Sequence, residues 1–226
     1  MTLRKNAPIM GILAAIGSLL GCAPQTSAPV KAEPVANDVQ HNEYVQQANI
    51  LLTPYMRIHG VPEKSVNSAK AQMEIKRGIT LLAEVVAYNP TNWSSWWVMG
   101  KGFQSLGEAA KACDAFGRSY SLQRENPDVA REFMFECLEV GRTNDAISAA
   151  EHAVSLSAKD AGLHANLALA YTMAGRISDA QVAIRKSLEL DPKDSISLTL
   201  RGVVEEIVAG RRPQPRTLRE LEGRSR

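Results

Sequence analysis

Apolar residues recur every three or four positions through most of the chain after residue 40, which predicts amphipathic helices rather than strands. Two sets of small residues recur at an interval of 34 positions: Gly107, Gly141 and Gly175, and Ala112, Ala146 and Ala180. A fixed period of this length is typical of helical hairpins that stack on one another. The pattern therefore predicts an all-α protein built from repeated helix pairs.

These units resemble the tetratricopeptide repeat (TPR). The clearest copy spans residues 161–194, with Ala168 and Tyr171 in its first helix, Gly175 in its turn and Pro192 at its exit. Less regular copies begin near residue 93 and at residue 127. The resemblance implies a right-handed α-solenoid of about four hairpins closed by a C-terminal capping helix.

The repeat pattern also predicts the organisation of the chain after its leader. We expect helices over about 38–56 and 65–88, with Pro54 ending or kinking the first and an unusually long loop between them. The predicted units are an atypical hairpin at 41–91, three TPR repeats at 92–194, a capping helix at 195–210 and a basic tail at 211–226. Charge runs of this kind are usually solvated, although contact with anionic lipid head groups remains an alternative.

The first 21 residues resemble the signal peptide of a bacterial lipoprotein. Arg4 and Lys5 precede an apolar run that ends in Leu19-Leu20-Gly21-Cys22, which is similar to the lipobox of that class. The resemblance implies that Cys22 is acylated and becomes the new N-terminus. Residues 22–40, rich in alanine and proline, then form a tether. The expected location is the periplasmic side of a bacterial membrane, with the outer membrane favoured over the inner one.

The charge balance argues against nucleic acid as a partner. The formal net charge is +2, and removal of Arg4 and Lys5 with the leader leaves 2 − 2 = 0. The four histidines do not stand at the spacings of a metal site, and motifs of hydrolases, P-loops or dinucleotide sites are missing. The sequence therefore predicts a protein without catalytic activity, cofactor, metal or small-molecule substrate.

Cys113 and Cys137 are the thiols that remain once Cys22 is lipidated. An exported protein meets an oxidising compartment, where these two residues on neighbouring helices could form a disulfide. Cys137 also occupies a core position of its repeat, where a reduced cysteine serves as a small apolar residue. Both alternatives stay open at the level of sequence.

The TPR resemblance also implies a place for a ligand, because ligands of this family usually lie in the concave groove lined by the first helix of each hairpin. Trp96 falls on a core position, so Trp97 points about 100° away from it, toward the groove. The groove residues carried over from the family are Trp97, Lys101, Gln104, Asp128, Arg131, Phe135, Leu138, Ala165, Leu169 and Thr172. This set favours an extended or helical peptide, with Trp97 and Arg131 as candidate hot spots, unless Trp97 and Phe135 pack against the terminal helices instead.

Together these features indicate a membrane-tethered scaffold that binds an envelope protein. Lipoproteins of similar architecture assist the assembly of pili and secretion machinery, which is the first functional hypothesis. The second is an adaptor or regulator of peptidoglycan enzymes or of outer-membrane assembly. Fold alone does not distinguish them.

Overall fold

The computed structural model describes residues 31–58 and 62–221. The leader, Cys22 and residues 222–226 lie outside this range, as do residues 59–61 of the long loop. The described residues form helices and contain no strand. The all-α prediction is confirmed.

Four helical pairs follow one another along the described chain, and a ninth helix follows the last pair. The helices are α1 (Asp38–Leu52), α2 (Ala69–Tyr88), α3 (Trp93–Ser105), α4 (Ala109–Leu122), α5 (Pro127–Glu139), α6 (Thr143–Leu156), α7 (Ala161–Met173), α8 (Ile177–Leu190), α9 (Ser195–Val208) and the short α10 (Leu218–Leu221). Each helix from α1 to α9 packs on the next, and contacts also join α1 to α3, α5 to α7 and α7 to α9. The first helices of the pairs therefore form an inner row, as a TPR solenoid requires.

The repeated glycines follow the first helix of the second, third and fourth pairs. Gly107, Gly141 and Gly175 have φ angles of 73°, 77° and 73°, in the left-handed region that L side chains rarely adopt. The residue after each glycine donates its backbone N–H to a carbonyl five residues earlier, as Arg142 does to Cys137 at 2.7 Å. These contacts satisfy carbonyls at the helix end and turn the chain into its second helix.

Side-chain caps fix where most first helices begin. The side chains of Asn92, Asn126, Asp160 and Asp194 each accept a hydrogen bond from a backbone N–H in the first turn of α3, α5, α7 and α9. Such caps satisfy donors that have no partner within the helix. The capping residues stand 34 positions apart, so the repeat extends into α9.

The helices pack around two apolar clusters. One joins α1 and α2 to α3, and the other runs from α4 through α8 to Leu200 and Val204 of α9. Phe116 is fully buried, and a Cβ atom added to Gly100 would lie 2.8 Å from its ring. Close approach of α3 and α4 therefore depends on glycine at position 100.

The structure differs from the sequence prediction at both flanks of the solenoid. α2 begins at Ala69 rather than near 65, because Ser68 caps it, and α1 gives way to a 3-10 turn at Thr53–Tyr55 that contains Pro54. Ahead of α1, the carbonyl of Glu33 accepts a hydrogen bond from Tyr44, so this end of the expected tether lies against the body.

The expectation of a solvated basic tail is wrong for part of residues 211–221. Pro215 is buried, and Leu218 and Leu221 pack against the larger cluster. Arg212 contacts Glu206 and donates to the carbonyl of Leu221. The apolar side chains among the arginines explain why this segment folds back onto the solenoid. Among the described helices, none is long and apolar enough to cross a bilayer.

Candidate protein-binding groove

The inner faces of α3, α5 and α7 define the groove of the solenoid. In the middle of the groove lies Lys101, which is only 2% exposed. Its ammonium group forms an ion pair of 2.7 Å with Glu132 of α5 and lies 5.4 Å from the centre of the Trp97 ring. A buried charge requires such partners, because transfer from water is otherwise costly. Lys101 therefore ties α3 to α5 from inside the groove.

A second polar pair lies one turn further along the same helices. Gln104 Nε2 donates a hydrogen bond of 2.7 Å to Glu136, and Gln104 Oε1 accepts one of 3.2 Å from Lys101. Burial raises the pKa of the Glu136 carboxyl, and the neighbouring carboxylates of Glu132 and Glu139 raise it further, while Gln104 and Lys101 act in the opposite direction. The groove floor between α3 and α5 is therefore a connected polar network.

A segment of the long loop covers one part of this network. Lys101 Nζ donates to the backbone carbonyl of Arg57 at 2.9 Å, and Ser105 Oγ donates to that of Tyr55 at 2.8 Å. A small cavity of about 230 Å³ remains between the segment and the helices, lined by Tyr55, Arg57, Pro62, Val66, Gln104, Ser105 and Glu136. The chain itself thus supplies carbonyls to groove donors, as a bound peptide would.

The C-terminal segment covers the other end of the groove. Gln214 Nε2 donates to the carbonyl of Thr172 at the end of α7. The next residue, Pro215, is buried, and Leu218 and Leu221 are partly buried against the larger cluster. The residues 212–221 therefore shield the inner surface of α7.

A strip between these two covers retains solvent access. Trp97 and Phe135 are half-buried, with part of each ring packed on the larger cluster. The side chain of Arg131 is 39% exposed and forms ion pairs with Asp128 at 2.9 Å and Glu132 at 3.7 Å. We call Trp97, Arg131 and Phe135 the open strip.

Five residues that the family pattern places in the groove are buried in the structure rather than open to a partner. Leu138 and Thr172 have no accessible surface, Leu169 is 7% exposed, and Lys101 is enclosed as described above. Thr172 Oγ1 donates to the carbonyl of Ala168 within its own helix. Ala165, at a matching position of α7, is also fully buried. The two covering segments and the packing of α5 on α7 account for this burial, which the family pattern does not contain.

Sequence reasoning missed Glu132 and Glu136. They stand four residues apart, so they lie on one face of α5, and both point to partners on α3. The spacing of acidic residues along α5, opposite Lys101 and Gln104 on α3, is the signal that marks them. Arg57 was also missed, because its contact uses a backbone carbonyl.

The structure joins Cys113 of α4 to Cys137 of α5 in a disulfide, with a distance of 5.3 Å between the Cα atoms. Both residues are fully buried. The bond therefore links the second helix of one pair to the first helix of the next, and it also occupies the core position predicted for Cys137.

Other polar residues serve local structure. His164 Nε2 contacts the carbonyl of Ala158 at 2.9 Å, and His152 Nδ1 contacts the hydroxyl of Tyr120 at 2.8 Å. Within the described ranges, side chains of the metal-binding types do not gather in groups of three or more. A larger cavity of about 590 Å³ lies around α4, away from the groove network, with Trp96, Arg118 and Phe133 among its lining.

The architecture is that of a TPR-type α-solenoid, in which an inner row of helices presents a groove. Comparison with known proteins agrees with this fold class. A family model described as tetratricopeptide repeat matches residues 138–202. The sequence has no significant match among curated proteins.

Several solved structures share the fold. A MamA fragment, residue 41 to the end, from Desulfovibrio magneticus RS-1 is similar with a TM-score of 0.59 and 15% identity, over 84% of this chain and 97% of that one. YrrB, described as a TPR protein with an unusual peptide-binding site, has a TM-score of 0.56 and 15% identity, over 76% of this chain and 78% of its own. PilW, described as a widely conserved type IV pilus biogenesis factor, has a TM-score of 0.51 and 16% identity, over 78% and 72%. At these identities the likeness establishes the fold, and this fold generally serves as a non-catalytic scaffold for protein–protein interaction.

Proposed function

We propose that this protein is a non-catalytic scaffold of the bacterial envelope, anchored by lipid on Cys22, which binds an extended segment of an envelope protein along the open strip. The first assignment is assistance in the assembly of pili or secretion machinery. The sequence of the leader supports the anchor, and the fold shared with PilW is in keeping with the assembly role.

The observation that carries the binding role is the composition of the open strip. Trp97 and Phe135 offer partly exposed rings on adjacent inner helices, and Arg131 lies one turn before Phe135 on α5, in a charged network with Asp128 and Glu132. Aromatic rings and arginine are the residue types that most often dominate binding energy at protein interfaces. The contacts from groove donors to the carbonyls of Tyr55 and Arg57 support recognition of an extended backbone.

The partner is identified by photo-crosslinking in intact cells. A photoreactive amino acid replaces Trp97 in the full chain, and a matched control carries it at Lys186, an exposed position of α8. We expect adducts from position 97 alone, and mass spectrometry identifies them. Pilin or secretin subunits support the first assignment, whereas peptidoglycan enzymes replace it with the second. Equal labelling from both positions would contradict the groove.

A substitution tests the energetic role of the strip. Trp97→Ala should weaken binding of the identified partner by more than about 1 kcal/mol, because large aromatic residues dominate interface energies. Trp96→Ala is the matched control, since its ring packs on the other cluster and its Nε1 donates to the carbonyl of Pro90. Unchanged affinity for Trp97→Ala would remove the strip from the binding site.

A further inference from the structure

Helix α9 has one face packed on the solenoid and another that no described part of the chain covers. Ser197, Leu200, Val203 and Val204 are buried against α7 and α8. An exposed flank of the helix carries Leu198 (39% exposed), Arg201, Gly202, Glu205 and Val208 (64% exposed). Spacings of three and four residues place these five positions along one stripe of the helix. We call this stripe the α9 face.

Comparison with the earlier helix pairs shows that the α9 face lacks a covering second helix. Gly202 follows Gly100 by 102 residues, which is three periods of 34, and it follows Ala168 by one period. At Gly100 a Cβ atom would meet the Phe116 ring of α4 at 2.8 Å, whereas at Gly202 it would meet nothing within 4 Å. In the earlier pairs a second helix covers this position. After α9 the chain turns at Gly210 and returns to α7 instead.

Glycine at position 202 lowers the stability of α9 in the isolated chain. Glycine inside an exposed helix is about 1 kcal/mol less favourable than alanine. Glycine at position 202 allows another backbone to approach the helix closely, but no described residue lies there. This argues that a helix from outside the described residues packs at Gly202.

The charges of the α9 face indicate which helix. In a two-fold symmetric antiparallel pair of α9 helices that cross at the level of residue 203, residues at equal distances before and after the crossing face each other. Arg201 of one copy then lies opposite Glu205 of the other, two positions from the crossing. Leu198 lies opposite Val208, five positions from it. Among the described residues neither Arg201 nor Glu205 takes part in an ion pair. The face is therefore complementary to itself in both charge and apolar contact.

We propose that the α9 face pairs with the same face of a second copy of this chain, forming a two-fold symmetric dimer. Symmetry makes each favourable contact occur twice. The C-terminal segment is held to α9 by the ion pair between Arg212 and Glu206. The dimer extends the solenoid across the two-fold axis and leaves both open strips exposed.

A single helix pair forms a small interface. It buries less than the roughly 1,600 Å² of a standard protein complex, so we expect dissociation in the micromolar range. The association is therefore measured over a concentration series, by sedimentation of the full chain in detergent.

Charge reversal distinguishes this register from other contacts. Arg201→Glu and Glu205→Arg each create two like-charge contacts, and each should raise the dimer dissociation constant by at least about tenfold. The double variant Arg201→Glu/Glu205→Arg restores opposite charges and should return the constant to within about threefold of the parent. Asp179→Arg, a reversal on α8 outside the α9 face, should leave the constant unchanged.

Crosslinking provides an independent readout in the membrane. A chain that carries both Leu198→Cys and Val208→Cys places each new thiol against one of the second copy and keeps Gly202, so it should give a disulfide-linked dimer on a non-reducing gel, whereas Ser178→Cys on exposed α8 should not. A parent chain that stays monomeric throughout the series, or a double variant that remains as weak as the single reversals, would overturn the proposal. Equal crosslinking of the 198/208 variant and the 178 variant would also overturn it, and so would a dimer whose dissociation constant changes with neither charge reversal.

Discussion

Lys101 illustrates how a residue assigned to ligand binding can instead organise the site. Its position in the repeat correctly places it on the inner face of α3. Its Nζ contacts Glu132, Gln104 and the carbonyl of Arg57, so its charge is satisfied within the chain. Position in a repeat predicts the face of a helix on which a residue lies. It does not predict what the rest of the chain places against that face.

Removal of this cation should destabilise the fold. Lys101→Met leaves Glu132 with little compensation and should lower the free energy of unfolding by about 3 kcal/mol, as measured by urea denaturation. Lys101→Met/Glu132→Leu should recover most of the loss. Lys111→Met, which breaks an exposed pair with Glu108, should cost less than about 0.5 kcal/mol. Equal effects of the two lysine substitutions would contradict a buried role.

Glu136 should make stability depend on pH. Its folded pKa is raised from the ordinary 4.5, so the folded state holds the proton more tightly than the unfolded state. The free energy of unfolding should therefore fall as the pH rises from about 4.5 through the raised pKa, and remain lower above it. Glu136→Gln keeps an acceptor for Gln104 and should raise the unfolding temperature at pH 7.

The matched control is Glu125→Gln, at an exposed position just before the same helix. The Glu136→Gln variant should lose part of the decline of stability between pH 4.5 and pH 7 that the parent and the control both show. Parallel pH profiles for all three proteins would show that Glu136 is not a source of that decline.

At the scale of elements, the disulfide between α4 and α5 adds a covalent link to two repeats that also meet through apolar packing and through the polar network between α3 and α5. Closing a loop over a separation of 24 residues restricts the unfolded chain and should contribute about 3 kcal/mol. Reduction should lower the free energy of unfolding by that amount. Alkylation of the unfolded chain before reduction should leave Cys113 and Cys137 unmodified, and modification of both would contradict the bond.

The elements were predictable to different degrees. The hairpins from α3 to α8 follow from a 34-residue period, caps and left-handed glycines, which are local signals. The paths of residues 53–68 and 211–221 depend on long-range contacts, such as those of Ser105 with Tyr55 and of Gln214 with Thr172. Composition alone predicted the second of these segments as solvated. The groove was therefore predictable, but its partial coverage was not.

At the scale of the whole molecule, the anchor remains a prediction, since Cys22 lies outside the described residues. Cys22→Ala should leave the chain uncleaved or release it from the membrane, because acyl chains supply the stable attachment. Fractionation followed by immunoblotting measures this, with Ser27→Ala as a control that should stay membrane-bound. Membrane recovery of Cys22→Ala equal to the control would refute the lipid anchor.

The backbone carbonyls of Tyr55 and Arg57 accept hydrogen bonds from Ser105 and Lys101, and this occupation of groove donors limits how a ligand can bind. A ligand can use those donors only after the segment that carries Tyr55 and Arg57 has left the groove. Only the fraction of molecules in which the segment has left can therefore bind the ligand. If that fraction is about one in a hundred, the apparent affinity falls about a hundredfold below the intrinsic one. Association would then reach a plateau with rising ligand concentration, at the rate at which the segment departs.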